Sequence, residues 1–166
     1  FLNSDAPWLT ADSISFLNSY LNKNLSGIEW GSGRSTKYLA TRVKSLISVE
    51  NDRYWYNKIK KEIRSLKNVE YIFQEVLDSQ KNSPKNHPYV DMLKQVKDNS
   101  IDFALIDGKI RLTCIENVIK KIKPGGIIVL DNAECYFFSK TFNEILYKPL
   151  PPHYNKERWD KILSKL

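Results

Sequence analysis

Cysteine is scarce in this chain. Two residues, Cys114 and Cys135, stand among 166, and neither has the spacing of a metal site, so reduced thiols and a cytoplasmic location are expected. Histidine is as rare: His87 and His153 are the only two, both in proline-containing stretches. No apolar run approaches the length that spans a bilayer, and no signal peptide is legible. Internal repeats and low-complexity tracts are missing as well. The chain opens on Phe1 and not on Met, so a fragment, a processed end or the first ordered residue is expected there.

What is present describes a globular domain. Hydrophobic residues make up 42% and aromatic ones 12%, enough for a proper core in a single domain of this length. The net charge of +7 raises a nucleic-acid partner, as an RNA-modifying enzyme would need. The lysines are scattered, however. The densest cluster, Lys58-Ile59-Lys60-Lys61, is followed by Glu62 and reads as a solvated helix face, so nucleic acid is not the expected partner.

Strand and helix patterns alternate along the chain. Thr10 caps a helix from about Ala11 to Asn22, with Ile14, Leu17 and Leu21 at helical spacing. Strands follow at Leu25–Trp30, Ser45–Glu50, Val69–Phe73, Ile101–Ile106 and Ile127–Leu130, the fourth nearly all apolar as a parallel strand covered on both faces should be. Helices fall between them at Ser35–Val43, Asp52–Leu66 and Leu112–Ile122, the last stopped by Pro124-Gly125-Gly126. Such alternation predicts a Rossmann-like, doubly wound α/β fold: a mainly parallel sheet between two helical layers, with right-handed crossovers. The polar stretch 79–89 reads as a long surface loop. Three parts are expected within one domain: a helical lead-in at 1–24, a core at 25–132, and a tail at 133–166. In the tail, Phe142–Leu146 is a candidate strand, Pro149–Pro152 breaks the pattern and Lys156–Leu166 looks helical.

The most informative stretch is Ile28-Glu29-Trp30-Gly31-Ser32-Gly33-Arg34-Ser35-Thr36, with Glu50 about twenty residues on. It reads as a strand end, a glycine turn and a helix start, followed by an acidic residue where the next strand stops. In an open α/β sheet that is where nucleoside-bearing cofactors bind. Gly31 and Gly33 permit a sharp turn and close approach, free N–H groups of the following helix face an anion, and Glu50 offers two acceptors to a ribose diol. A nicotinamide dinucleotide is one reading, but its fingerprint has a third glycine where Thr36 stands, and it gives Glu29 no role.

The pattern Glu-x-Gly-x-Gly-x-Ser/Thr resembles motif I of the class I S-adenosylmethionine-dependent methyltransferases. The resemblance runs from Pro7-Trp8-Leu9-Thr10 to Asp131-Asn132 and looks most like bacterial members with a Gly-Ser-Gly-Arg-Ser-Thr loop. It implies S-adenosylmethionine as cofactor. Glu29 would hold its ammonium, through water. The backbone around Trp30, Gly31, Ser32 and Gly33, with the Ser35 and Thr36 hydroxyls, would cradle its carboxylate. Glu50 would take the ribose and Asn51 would lie beside the adenine. Gln74, Glu75 or Val76 would meet the adenine edge, where the family often carries an aspartate that here, as Asp78, falls late. Asp107 would lie beside the reacting methyl group. The family's usual closing hairpin is not evident in the tail.

Methyl transfer asks the protein mainly for positioning, exclusion of water and activation of the acceptor. Asp107, Lys109 and His87 are the candidate catalytic residues. Asp107, Asp131 and Asn132 resemble the divalent-ion ligands of catechol-type O-methyltransferases, and their oxygens would suit Mg²⁺. Lys109 and Arg111 are placed to meet an anionic acceptor. The expected activity is O-methylation of a small molecule or saccharide precursor, and a homodimer is compatible with the sequence. The alternatives are an RNA methyltransferase and a cofactor-binding module without turnover that serves as a partner or regulatory subunit.

Overall fold

The computed structural model describes residues 6–76, 87–135 and 155–165. Along them run α1 (Ala11–Tyr20), β1 (Ser26–Trp30), α2 (Arg34–Ala40), β2 (Ser45–Glu50), α3 (Arg53–Glu62), β3 (Val69–Phe73), β4 (Ile101–Ile106), α4 (Arg111–Val118), β5 (Ile122–Leu130) and α5 (Lys156–Leu163). A 3-10 helix occupies Pro88–Lys94 and a single 3-10 turn Ala133–Cys135. The predicted strand at 142–146, the proline run 149–152, most of the predicted surface loop, Asp78 and His153 lie outside the described residues.

The five strands form one sheet in the order β3-β2-β1-β4-β5, and every ladder is parallel. Parallel pairing requires both faces to be covered, and the residues meet that demand. All six residues of β4 are buried. On one face Leu17 and Leu21 of the α1 region and Tyr38, Leu39 and Ala40 of α2 pack against Leu46, Phe103 and Leu105. On the other, Ile28, Trp30, Val49 and Ile106 meet Tyr89, Leu93, Leu112 and Ile115, with Trp159 and Ile162 of α5 completing the layer. Arg158 fixes α5 to α4 through Glu116, at 2.9 and 2.8 Å, and through Thr113 Oγ1 at 3.0 Å.

Local chemistry sets the helix starts. Thr10 Oγ1 accepts the Ser13 N–H at 3.3 Å, and Asp52 Oδ1 accepts the Trp55 N–H at 2.7 Å. At the sheet centre Gly27 makes room for a neighbour, since a Cβ there would lie 2.0 Å from Phe103 Cζ. The ring of Phe103 therefore lies directly over Gly27 on the adjacent strand, where the two residues are register partners.

The expected helices end earlier than the sequence suggested, and the widest departure lies at the start of β5. The helix that was to run to Ile122 ends at Val118, and β5 starts at Ile122 instead. Pro124-Gly125-Gly126 lies inside β5 and does not end a helix. Proline lacks the N–H of a regular ladder, and β5 accommodates it at the sheet edge with a register shift between its pairings to Ile101 and Phe103, and with Gly125 at φ +81°. No helix among the described residues is long and apolar enough to cross a membrane.

Candidate functional site

A cavity of about 540 Å³ opens where the strand order reverses between β1 and β4. The carboxyl-end loops of three strands line it: 31–35 after β1, Glu50 and Asn51 at the tip of β2, and Asp107–Lys109 with Arg111 after β4. Trp55 and Lys58 of α3 and Trp8 of the lead-in complete the wall. Trp8 is 75% exposed, with the Arg34 guanidinium 5.6 Å from its ring centre.

Gly31 is the pivot of the first loop. Its φ is +89°, and a Cβ there would sit 2.8 Å from Gly108 N and 2.9 Å from Asp107 C, so only glycine lets the β1 and β4 loops meet. The loop amides that precede α2 are taken up within the chain. Gly31 N–H donates to Val49 O at 2.9 Å, Ser32 N–H to Glu50 Oε2 at 2.9 Å, and Gly33 N–H to Thr36 Oγ1 at 2.9 Å. The Val49 carbonyl, the Glu50 carboxylate and the Thr36 hydroxyl take these three donors.

Two carboxylates anchor this loop. Glu50 is 4% exposed. Its Oε2 takes Ser32 N–H and Ser32 Oγ, the latter at 2.7 Å, and its Oε1 takes the N–H groups of Asn51 and Asp52 at 2.7 and 2.8 Å. Glu29 is fully buried below the loop and outside the cavity lining. Its Oε2 accepts Thr36 Oγ1 and Ser48 Oγ, each at 2.7 Å, while Oε1 has no partner among the described residues. Burial pushes the Glu29 carboxyl up to about 7, against the opposing pull of the Ser35, Thr36 and Ser48 hydroxyls. Trp30 is a packing residue whose Nε1 donates to Tyr89 O at 2.9 Å.

The remaining predicted residues divide sharply. Glu75 is exposed and Val76 packs on the core, and the described cavity lining includes neither. The sequence makes His87 a candidate catalytic residue and places it in a surface loop. Instead it is 1% exposed and built into the core. Its Nδ1 accepts the Tyr89 N–H at 3.1 Å as the cap of the 3-10 turn, and burial lowers its pKa. The described cavity lining omits it too.

Asp107, Asp131 and Asn132 do come together, around a cation the chain supplies. Arg111 enters from the first position of α4, turned there by Ile110 in the left-handed region at φ +43° and ψ +45°. A β-branched residue in that conformation costs about 1–2 kcal/mol. Arg111 Nη2 donates to Asp107 O at 2.9 Å and to its Oδ1 at 3.0 Å, and Nε donates to Gly108 O at 3.0 Å. Nη1 donates to Asp131 O and, at 3.2 Å, to Asn132 Oδ1. Asn132 itself stands at φ +48°. Burial, and then the adjoining Asp131 carboxyl, raise the Asp107 pKa well above the carboxylate range, although Arg111 pulls the other way. Among the described residues no group of three His, Cys, Asp or Glu side chains is arranged to hold a metal ion. Lys109 is exposed on the cavity wall.

Sequence reasoning missed two participants. Trp55 Nε1 donates to Ser32 O at 2.5 Å, and Tyr71 OH lies 2.6 Å from Ser32 Oγ. Trp55 had a signal, its place in the first turn of the helix that follows Glu50. Tyr71 had none beyond lying in a strand beside it.

No protein-family model and no curated protein matches the chain. Solved structures do. SMU.1697c, described as a methyltransferase from Streptococcus mutans and solved in complex with SAH, aligns at TM-score 0.55 and 18% identity over 74% of this chain and 73% of its own. Precorrin 8w decarboxylase of Methanobacterium thermoautotrophicum aligns at 0.54 and 20% over 89% and 74%. The CurJ carbon methyltransferase aligns at 0.50 and 16% over 87% of this chain, which spans only 41% of that protein's length. The chain has the fold of the class I S-adenosylmethionine-dependent methyltransferases.

Proposed function

We propose that the cavity holds S-adenosylmethionine and that the chain transfers its methyl group to an oxygen of a small molecule or saccharide precursor. One observation carries this reading. The glycine loop and Glu50, on adjacent parallel strands, share one cavity beside the β1–β4 reversal, and its volume lies in the range of nucleoside-bearing ligands. The residues also fit the cofactor's charges. Glu29 Oε1 is a buried acceptor lacking a donor, a deficit that an ammonium group relayed by water would satisfy. Glu50 would take the ribose hydroxyls, with Asn51 and Trp55 bordering the rest of the nucleoside.

When bound, S-adenosylmethionine supplies a methyl group already activated on a sulfonium. The residues of this chain then have three tasks. The 31–35 and 107–109 loops, closed on each other at Gly31 and Gly108, fix position and exclude water. Asp107, raised into a range where it exchanges protons near neutrality, accepts the acceptor's proton. Lys109 on the wall meets an anionic group of the acceptor. The fold alone leaves the acceptor open, since a carbon methyltransferase and a decarboxylase share it.

A second reading, a binding module without turnover, draws on the saturation of Glu50. All four of its acceptor positions are filled by the chain itself. Calorimetry with S-adenosylhomocysteine, with NAD as the competing ligand, tests the cofactor assignment. Micromolar binding is expected from the first ligand and none from NAD; a folded chain that binds neither would sink both readings. Methyl release from labelled S-adenosylmethionine on a panel of hydroxylated acceptors then separates enzyme from module.

A further inference from the structure

We infer that Arg111 is the resident cation on the acceptor side of this cavity, seated where Asp107, Asp131 and Asn132 would otherwise hold a divalent metal ion. The inference depends on the proposed function only for the word acceptor. A guanidinium carries five N–H donors in a planar fork. Here each has an oxygen: Gly108 O for Nε, Asp107 O and Oδ1 for Nη2, Asp131 O and Asn132 Oδ1 for Nη1. Asp131 Oδ2 adds an ion pair at 3.6 Å. The fork thus gathers the three side chains of the expected ligand set and the backbone that carries them.

The surrounding backbone is shaped to this arrangement. Ile110 and Asn132, one in each of the two joined loops, both hold a positive φ, which asparagine tolerates and a β-branched isoleucine disfavours. The Arg111 side chain is 11% exposed, so it is enclosed among these oxygens and does not trail over them. Two consequences follow. A divalent ion would need the same oxygens and would have to expel a buried, fully bonded guanidinium. Arg111 is also spent, which removes it from the anion-binding pair read from the sequence and leaves Lys109.

The test is Mn²⁺ binding to the full chain, read by the loss of the free-ion electron paramagnetic resonance signal. Wild type is expected to bind no Mn²⁺ below about 1 mM at this site. Arg111→Met should open the seat and tighten Mn²⁺ binding about tenfold or more, and adding Asp131→Asn should abolish the gain. Circular dichroism confirms the fold of each variant, and Arg111→Gln takes the place of Arg111→Met if the latter does not fold. The inference is overturned if wild type binds Mn²⁺ in a manner lost with Asp131→Asn. It is equally overturned if a folded Arg111 variant gains nothing. S-adenosylhomocysteine calorimetry on the same samples keeps this result distinct from a failure of the cofactor assignment.

Discussion

At the tips of β1 and β2, the carboxylates Glu29 and Glu50 are held by neutral donors, the hydroxyls of Ser32, Thr36 and Ser48 and three backbone amides. At the tips of β4 and β5, Asp107 on the same cavity and Asp131 beside it are held by a guanidinium. The difference decides what each half can receive. Dipoles hold a carboxylate without supplying a full opposing charge: Glu50 lines the first half, and Glu29 lies buried beneath it with its carboxyl raised to about 7 by burial. A guanidinium cancels the charge it holds, so the second half admits a neutral or anionic group without repelling it.

The sharpest way to break the contrast is to remove the cation. Arg111→Ala should cost about 3 kcal/mol in urea melts, because it leaves two adjoining half-buried carboxylates uncompensated. The loss should shrink at low pH, where a proton shared by the two aspartates replaces the cation.

Glu29 gives the next effect, and its sign is opposite to that of an ion-paired carboxylate. Its folded value of about 7 lies above the unfolded 4.5, so below 4.5 the residue is protonated in both states and costs nothing. Between 4.5 and about 7 the unfolded chain releases the proton first, and stability falls as pH rises. The cost is then constant above about 7, on the order of 3 kcal/mol. Glu29→Gln should flatten this part of the curve. If the proposed ammonium contact is right, wild-type affinity for S-adenosylhomocysteine should rise between pH 6 and 8, and the variant should lose that rise.

Glu50→Ala removes two charge-assisted acceptors from the ribose and should weaken S-adenosylhomocysteine about 100-fold in calorimetry. The smallest expected effect is Ser32→Ala. It frees one lone pair of Glu50 from the Ser32 hydroxyl, so destabilisation below about 1 kcal/mol should accompany an equal or tighter affinity. A large loss of affinity would instead make Ser32 a ligand contact.

What could be read in advance follows from the range of the forces involved. The strands from Ser45 and Val69 and the Ile101–Ile106 run are written in local apolar patterns, and β2, β3 and β4 match those bounds residue for residue. The Gly31 turn is local too. Arg111 was legible as a cation for an anionic acceptor but not as the partner of Asp107, Asp131 and Asn132, because that role depends on a left-handed Ile110 and on Asn132, twenty-one residues away in sequence. His87 read as a loop residue since nothing nearby announces that Tyr89 and Val90 carry it into the core. The start of β5 was hidden by Pro124-Gly125-Gly126, which spells a helix stop wherever an edge bulge is not on offer.

The pairing of Gly27 with Phe103 has a kinetic meaning. It joins the two halves of the sheet across the longest interval of any ladder described, and the Phe103 ring can settle only onto a strand that already presents a bare glycine. Closing so long a loop is entropically slow, and parallel ladders offer no hairpin to shorten it. The cavity lies on that seam. It is therefore among the last features to form as the chain refolds, so ligand binding should recover with the slowest refolding phase, after most helical signal has returned.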